Sequence, residues 1–254
     1  MKKQQMLRHL TKASRSLYNV GRYGIGPSAR QKKKAAKARQ REAAFFDSEV
    51  WRHDAVGSTR VYGSYDQYVR HQTAKLDEIL PRLHEKEDED LAEFRRRFET
   101  CPQLKEARNV LCLGARIGTE VKALHALGFF AVGIDLNPGE GNPYVLPGDF
   151  HAIVFPDGSL DAIYTNALDH AFALDRVMSE VRRLLRPEGL FVVDLLQGYD
   201  EGFVPGEYES IMWRDQKTFI EGIRDLGGLT IVEVRDLGRT RRDQWTQAVF
   251  RKPA

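Results

Sequence analysis

The sequence predicts an α/β protein built on a mostly parallel sheet, and one stretch carries most of this prediction. Residues 110–113 form an apolar run typical of a buried strand. Gly114 and Gly118 follow, and then a segment with apolar residues at helical spacing. A second apolar run ends at Asp135, 21 residues after Gly114. Strand, glycine-containing turn, helix, strand and acid in this order are typical of the first unit of a nucleotide-binding sheet.

Apolar runs and turn residues continue to alternate along the rest of the chain. This alternation predicts strands joined by helical crossovers, as parallel pairing requires. Strands are predicted at 109–114, 130–135, 144–146, 160–165, 190–196, 229–234 and 244–251, and helices at 117–127, 171–185 and 215–226.

A helical extension is predicted ahead of the sheet. Apolar residues recur at helical spacing over residues 66–98. Pro81 and the acidic run 85–90 predict a kink or break between two helices. Residues 45–65 mix aromatic residues with glycine and are expected to connect the arm to the main domain and to pack on it.

The basic residues are concentrated at the N-terminus. Residues 1–41 contain 13 Lys or Arg and no Asp or Glu, whereas the remainder has a net charge of −10. Three interpretations of this arm stay open: a solubilising segment that is partly disordered or helical, an attachment to anionic membrane, and a nucleic-acid contact.

Composition excludes some classes of protein. No apolar run is long enough to span a bilayer, and no apolar segment follows the first lysines as in a secretory signal. The two cysteines, Cys101 and Cys112, and the scattered histidines predict no metal site. We expect a cytoplasmic protein, with peripheral membrane attachment through the arm as a further option.

The first turn alone does not separate two adenosine cofactors. Asp135 suits a carboxylate that accepts hydrogen bonds from ribose hydroxyls, in NAD or in S-adenosylmethionine. A dinucleotide site has G-x-G-x-x-G, and Arg116 stands at its middle glycine. An arginine there would crowd a pyrophosphate, whereas its guanidinium could pair with a methionine carboxylate.

The downstream sequence resembles class I S-adenosylmethionine-dependent methyltransferases with a type 11-like domain. Residues 149–170 read DFHAIVFPDGSLDAIYTNALDH, and residues 175–193 read DRVMSEVRRLLRPEGLFVV. That family commonly has F-P-D-x-S-F-D, N-x-L-x-H and E-x-x-R-x-L-x-P-G-G at matching intervals. The resemblance covers residues 107–196 well, and it implies a Rossmann-like methyltransferase sheet with a reversed C-terminal strand and S-adenosylmethionine as cofactor.

The resemblance also implies a division of the chain and a set of cofactor contacts. Residues 1–44 would form the basic arm, 45–106 a helical lid or substrate region, and 107–254 the cofactor-binding domain. Leu113, Gly114 and Ala115 would line the methionine end, with Gly118 opening the following helix. Asp135 would hold the ribose, with Leu136 against the adenine, and Asp149 would accept from the adenine amino group, with Phe150 beside it. Asn166 and Ala167 would lie near the transferring methyl.

The first motif departs from the family pattern at two positions. Cys112 stands where the family has an acidic residue, and Arg116 stands at the middle glycine. Contact with the cofactor amino group is therefore expected from elsewhere, with Glu120 as a candidate. Arg116 and Glu120 are four residues apart, so a local ion pair at the helix start is the alternative to cofactor contact.

His170 and Asp169 are the candidate catalytic residues, because they follow the strand at 160–165 where the cleft is expected. A histidine beside a carboxylate can serve as general base for an oxygen acceptor. The alternatives are that Asp169 caps a helix that begins near Ala171 and that His170 packs over the cofactor edge.

The acceptor site is expected between the lid and the sheet. Tyr65, Tyr68 and His71 follow one another at intervals of three residues and are predicted either to line the acceptor pocket or to pack within the lid. We expect O-methylation of a small molecule or glycan. The alternatives are an RNA methyltransferase that uses the arm and a non-catalytic module that kept the fold. The sequence does not predict the oligomeric state.

Overall fold

The computed structural model describes residues 49–54, 57–240 and 243–254, together with the helical positions 36, 40, 43 and 45. Most of the predicted basic arm, residues 1–44, therefore lies outside the described residues. Within the part that is described, the chain has the predicted α/β architecture, with one large sheet covered by helices on both faces and one small sheet.

The elements of the described residues are numbered in chain order. The strands are β1 (Trp51–His53), β2 (Gly57–Arg60), β3 (Asn109–Leu113), β4 (Phe130–Asp135), β5 (Val145–Pro147), β6 (Leu160–Thr165), β7 (Leu185–Leu196), β8 (Ile211–Trp213), β9 (Thr230–Thr240) and β10 (Asp243–Arg251). The helices are α1 (Tyr65–Thr73), α2 (Lys75–Glu85), α3 (Glu87–Glu99), α4 (Thr119–Ala126), α5 (Leu174–Leu184) and α6 (Gln216–Gly227), with short 3₁₀ segments at Pro102–Glu106 and Leu168–His170.

The large sheet has the strand order β5-β4-β3-β6-β7-β10-β9. Strands β3 to β7 pair in parallel, whereas β10 is antiparallel to both β7 and β9. The chain builds one edge of the sheet from β3 through β5 and then crosses to β6. This reversal opens a crevice at the carboxyl ends of β3 and β6, where open α/β sheets bind their ligands. The predicted sheet with a reversed final strand is confirmed.

Successive residues of β3 face opposite sides of the sheet, as strand geometry requires. Val110 and Cys112 belong to the apolar cluster beneath α3 and α4. Leu111 and Leu113 belong to the cluster beneath α5 and α6. All four side chains are buried, which fits a parallel strand covered on both faces. The prediction that Cys112 is a buried small residue is confirmed.

The helical extension differs from the prediction at Pro81, which lies inside α2 without breaking it. Proline removes the hydrogen bond to the carbonyl four residues earlier. Here Pro81 and Asp77 are both exposed, so water can take the place of that bond. The helices are separated at Ala74 and at Lys86, and the break at Lys86 lies within the acidic run, as predicted. The acidic run begins α3, where negative charge is favourable at the helix N-terminus.

The segment predicted as a connection forms part of a second sheet. Strand β2 pairs with β1 and also with β8, a short strand that the sequence pattern did not predict. Phe45 and Trp51 are each 2% exposed, which confirms that this segment packs on the main domain. The boundaries at 44/45 and 106/107 stay predictions.

Two other element boundaries differ from the predicted ones. Helix α5 begins at Leu174 rather than near Ala171. Strand β7 begins at Leu185, because the predicted turn at 187–189 is an irregularity within the strand, with Glu188 in the left-handed region at φ 63°. No helix among the described residues is both long and apolar enough to cross a membrane.

A buried polar network fastens α3 to the sheet. Asp194 on β7 is fully buried and accepts hydrogen bonds from Arg97 of α3 (3.0 Å), Tyr164 of β6 (2.7 Å) and Gln247 of β10 (2.7 Å). Arg97 also pairs with Glu93 one turn earlier, at 2.8 Å. Because every partner is satisfied, the network fixes the register of α3 on three strands.

We expect Asp194→Ala to lower the free energy of unfolding by about 3–5 kcal/mol, because Arg97 would remain buried without its partner. Urea unfolding measures this change. Glu99→Ala on the same helix is the control, since its pair with Arg95 is about half exposed, and it should cost less than about 1 kcal/mol. Equal effects of the two substitutions would contradict a buried charge at the core of this network.

Candidate functional site

The turn after β3 forms the floor of the site through its backbone conformation. Gly114, Arg116 and Gly118 all lie in the left-handed region, with φ of 69°, 46° and 80°. A side chain at Gly114 would place its Cβ 2.6 Å from that of Ala167, and one at Gly118 would lie 2.8 Å from Cβ of Tyr144. Both positions therefore require glycine, whereas the strained Arg116 needs support from its neighbours.

Asp135 gives that support from the end of β4. Its Oδ2 accepts the backbone N–H of Arg116 at 3.0 Å, and its Oδ1 accepts the N–H of Asn137 at 2.9 Å. The Gly114 N–H meanwhile donates to the carbonyl of Ile134 at 2.9 Å. The carboxylate thus joins the two turns that follow β3 and β4, and it lies at the carboxyl edge of the sheet.

A cavity of about 50 Å³ opens above these turns. Its lower wall comes from the sheet and its upper wall from α1 and α2. The lining residues are Tyr68, Gln72, Lys75, Leu76, Ile79, Gly114, Arg116, Asp135, Leu136, Asn137, Phe150, Ala167 and His170. The cavity therefore gathers seven predicted site residues from the sheet side and one, Tyr68, from the lid.

Helices α1 and α2, which form the predicted lid, turn a different face towards the cavity from the one that the sequence predicted. Tyr68, Gln72, Lys75 and Ile79 line the cavity, at intervals that follow 3.6 residues per turn. The predicted spacing of three residues drifts around the helix, so that Tyr65 and His71 point about 120° apart. Gln72 and Lys75 are therefore cavity residues that the sequence reasoning missed, and a strict helical period starting at Tyr68 would have found them.

Tyr65 and His71 have other partners. The Tyr65 hydroxyl donates to the carboxylate of Asp149. His71 stacks on Tyr208, with ring centroids 5.1 Å apart, and its Nδ1 lies 2.9 Å from the Tyr62 hydroxyl. Neither side chain lines the cavity. Tyr65 nevertheless links the lid directly to a predicted cofactor residue.

Asp149 is held in place by His151, which the sequence reasoning did not single out. The His151 Nε2 accepts the backbone N–H groups of Phe172 and Ala173, at 3.0 and 3.2 Å. Its Nδ1 must then carry the proton, which it donates to Asp149 at 2.7 Å. This buried histidine thus joins the loop after β5 to the N-terminus of α5.

The tautomer of His170 is set by a similar argument. Its Nδ1 lies 2.9 Å from the carbonyl oxygen of Tyr208, which can only accept, so Nδ1 carries the proton. The lone pair of Nε2 therefore points towards the cavity. Burial, with Lys75 and Arg116 close by, lowers the pKa of His170 well below its usual 6.5. The imidazole is therefore neutral at pH 7 and can accept a proton at Nε2.

Two cations meet at that nitrogen. The Lys75 Nζ lies 2.5 Å from His170 Nε2, and the Arg116 Nη2 lies 3.4 Å from it. Burial and the neighbouring Arg116 lower the pKa of Lys75 to about 7. Lys75 therefore changes charge near neutral pH, in direct contact with the candidate base.

The interpretation of Asp169 as a helix cap is wrong. Helix α5 begins only at Leu174, and Asp169 belongs to the 3₁₀ segment that ends at His170. Its carboxylate is buried, and burial followed by the charge of Glu209 raises its pKa to about 7. The carboxylate lies 3.7 Å from His170 Nε2 but does not line the cavity.

The remaining predicted residues surround the cavity without lining it. Leu113 and Ala115 are buried in the core, and Asn166 is partly buried at the end of β6. Glu120 is buried in the first turn of α4. Among the described residues no ion pair joins Glu120 to Arg116, whose guanidinium points to His170 instead. The local ion pair considered from the sequence is therefore not formed.

Asn137 is a further cavity residue that the sequence reasoning missed. Its amide donates to the carbonyl of Thr73 at 2.9 Å, at the junction between α1 and α2. It therefore holds the lid to the turn after β4. An asparagine two residues after the strand-ending acid was the available signal, because such residues commonly organise turns.

Comparison with protein families places a methyltransferase domain at residues 111–193. A sterol 24-C-methyltransferase, ERG6B of Gibberella zeae, is 51% identical over 47 residues, which are 18% of this chain and 12% of that protein. The chain thus matches only a small part of this curated relative. The matched domain spans β3 to β7, the strands whose ends form the site.

Solved structures share the fold at low sequence identity. A 1,6-didemethyltoxoflavin-N1-methyltransferase of Burkholderia thailandensis, with its ligand and S-adenosylhomocysteine bound, matches with a TM-score of 0.60 at 16% identity, over 80% of this chain and 99% of that one. A methyltransferase of Haloferax volcanii in complex with the Trm112 activator has a TM-score of 0.59 at 19% identity, over 72% and 98% of the two chains. These likenesses establish the class I methyltransferase fold.

The buried Glu120 predicts a pH dependence of stability. Burial raises its pKa to about 8, whereas an unfolded chain has the ordinary value of 4.5. The folded protein therefore keeps a proton that the unfolded chain releases, and stability should fall as pH rises from about 4.5 to 8. Glu120→Gln should reduce this decline, to which the raised pKa of Asp169 also contributes, and should raise the free energy of unfolding at pH 8 by roughly 2–4 kcal/mol.

Urea unfolding between pH 5 and 8 tests this expectation. The exposed Glu85→Gln is the matched control and should leave the decline unchanged. Parallel pH profiles for the wild type and Glu120→Gln would show that Glu120 is ionised in the folded protein.

Proposed function

Since this chain contains a methyltransferase domain of the S-adenosylmethionine-dependent class, we propose that it methylates an oxygen atom of a small molecule with His170 as general base. The observation that carries the proposal is the orientation of His170. Its Nδ1 is fixed on the Tyr208 carbonyl, and its Nε2 lone pair points into a cavity beside the turn after β3. A neutral imidazole whose Nε2 can accept a proton on the cavity side is the form that a general base requires.

The residues present fit S-adenosylmethionine. Asp135 lines the cavity with the carboxylate that the family resemblance assigns to the ribose, and Leu136 and Phe150 add apolar walls suited to an adenine ring. Gly114 packs against the methyl group of Ala167 without room for a side chain. The floor of the cavity there consists of the Gly114 backbone and the Ala167 methyl group. When bound, the cofactor supplies a methyl group activated by a positively charged sulfur.

The lid must move for the cofactor to enter. A cavity of about 50 Å³ holds a few water molecules but is too small for a nucleoside. The Tyr65 hydroxyl also occupies the carboxylate of Asp149, to which the resemblance assigns the adenine amino group. Outward movement of α1 and α2 would free that carboxylate and enlarge the cavity, and their return would exclude water from the reaction.

His170 and its neighbours would then orient the acceptor and remove its proton. An acceptor hydroxyl would replace the Lys75 ammonium as the hydrogen-bond donor to Nε2, so that the acceptor oxygen faces the cavity. His170 would take the proton as the oxygen reacts. Asp169, whose carboxylate lies 3.7 Å from the same nitrogen, would stabilise the positive charge that His170 then acquires. No observation of the structure favours RNA as acceptor, because the basic arm lies largely outside the described residues.

Cofactor binding is the first test. We expect S-adenosylmethionine to bind in calorimetry, and Asp135→Asn to weaken binding by about 1–3 kcal/mol through the loss of charged hydrogen bonds. Glu140→Gln, in the exposed loop nearby, is the control and should bind like the wild type. Absence of any heat or thermal shift at millimolar cofactor would favour a non-catalytic module.

The second test measures turnover after replacement of the proposed base, His170. Purified protein is incubated with S-adenosylmethionine and a small-molecule extract, and mass spectrometry follows S-adenosylhomocysteine and the methylated product. We expect His170→Ala to lower turnover roughly 10²-fold or more at unchanged cofactor affinity. His84→Ala, whose side chain is 60% exposed on α2, should retain the wild-type rate. A wild-type rate for His170→Ala would assign the base to another residue.

A further inference from the structure

The charges around His170 are arranged asymmetrically. Lys75 and Arg116 both line the cavity and both reach the same nitrogen, from the lid and from the floor. The charges of Asp169 and Glu209 act on Lys75 and raise its pKa, but neither carboxylate lines the cavity. A group that enters the cavity therefore meets two cations first.

Neither cation has a carboxylate partner of its own. Among the described residues no ion pair of 4 Å or less joins Lys75 or Arg116 to an acid. The carboxylate of Asp135 is close, but its oxygens already accept the backbone N–H groups of Arg116 and Asn137. Two cations near one buried point repel each other, and an anion placed there would relieve that repulsion.

The strength of the base also restricts the acceptor. Burial lowers the pKa of His170, and Lys75 and Arg116 lower it further, because both reach Nε2 and positive charge at that nitrogen opposes its protonation. Such a base suits an oxygen that loses its proton more readily than an aliphatic alcohol does. Hydrogen bonds from Lys75 and Arg116 would stabilise such an oxyanion in this partly buried setting.

We propose that Lys75 and Arg116 form an oxyanion-binding subsite beside His170 and that the methyl acceptor is an acidic hydroxyl group, a phenol or an enol, which His170 deprotonates. This inference rests on the proposed function and narrows it, because it excludes the ordinary hydroxyl groups of a glycan. The subsite lies between the lid and the turn after β3, so the lid supplies one of its two cations.

The reaction at this subsite balances without a further reactant. The acceptor oxygen forms a bond to the methyl carbon, and the carbon–sulfur bond breaks with its electron pair going to sulfur. The proton of the acceptor hydroxyl goes to His170 Nε2, and the positive charge that leaves the sulfur therefore ends on the protonated His170.

A carboxylate could also come from the methionine end of the cofactor, and the experiment separates this source from the acceptor. Protein saturated with S-adenosylhomocysteine already holds the cofactor's carboxylate. Benzoate is then titrated by calorimetry, with the isosteric neutral benzamide as reference. We expect benzoate to bind at least tenfold more tightly than benzamide.

Substitutions of Lys75 and Arg116 test whether these two cations cause the preference for benzoate over benzamide. Lys75→Met and Arg116→Met should each reduce the preference for benzoate about tenfold or more, and Lys75→Arg should restore most of it. Lys217→Met, at an exposed position of α6, is the matched control and should behave like the wild type. Binding of benzamide should change little in all of these variants, which shows that the cavity is intact.

The pH dependence gives a second readout. Arg116, Asp169, Glu209, Asp135 and His170 all face Lys75 and set its pKa near 7 in the free protein. Binding of an anion requires the charged form of Lys75. Benzoate affinity should therefore fall as pH rises above 7, by up to tenfold per pH unit, whereas benzamide affinity should stay constant.

The outcomes distinguish this inference from the proposed function. Failure of S-adenosylhomocysteine to bind would overturn the proposed function and with it this inference. Normal cofactor binding with equal affinities for benzoate and benzamide would overturn the inference alone. If Lys75→Met weakens S-adenosylhomocysteine but not 5′-methylthioadenosine, which lacks the carboxylate, the cations serve the cofactor and the inference is wrong.

Discussion

The hydrogen bond from the Arg116 amide to the carboxylate of Asp135 is the interaction on which the site depends. It holds a non-glycine residue at φ 46°, between two glycines that are also left-handed. That conformation turns the chain sharply after β3 and directs the Arg116 side chain towards His170. Since Asp135 ends β4 and also orders Asn137, one carboxylate fixes both turns at the centre of the sheet and, through Thr73, the lid above them.

The fold was largely predictable because apolar runs and glycines report directly on strands and turns. The order of β3, α4 and β4 follows from residues 110–135, and the parallel sheet was expected from the same alternation. Strand β8 was not predicted, because three residues within a polar loop give no periodic signal. The sequence pattern did not predict that α2 continues through Pro81. A proline is tolerated inside a helix where water can replace the lost hydrogen bond, and this depends on the exposure of the helix, which the sequence does not give directly.

The part of the site that is formed by strand ends was predictable from the sequence. The part that depends on which side chains of the helices pack towards the sheet was predicted less well. The sheet side of the cavity follows from strand ends, so Gly114, Asp135 and His170 could be placed from their spacing, whereas Ala167 was implied by the family resemblance. The lid side depends on which helical face packs down, and there Tyr65 and His71 were chosen where Gln72 and Lys75 line the cavity. The position of Asp169 depended on where α5 begins, which is set by His151 holding the amides of Phe172 and Ala173.

The same His151 has a consequence for how two ligands would influence each other. It is bonded to Asp149, where the proposal places the cofactor, and to backbone amides two and three residues beyond His170, where the proposal places the acceptor. A rigid, fully bonded ring between two loops transmits a displacement of one to the other. Any factor by which a bound cofactor changes the affinity for the acceptor through this ring must equal the factor by which a bound acceptor changes the affinity for the cofactor. The imidazole is thus the contact through which the two binding equilibria would be coupled.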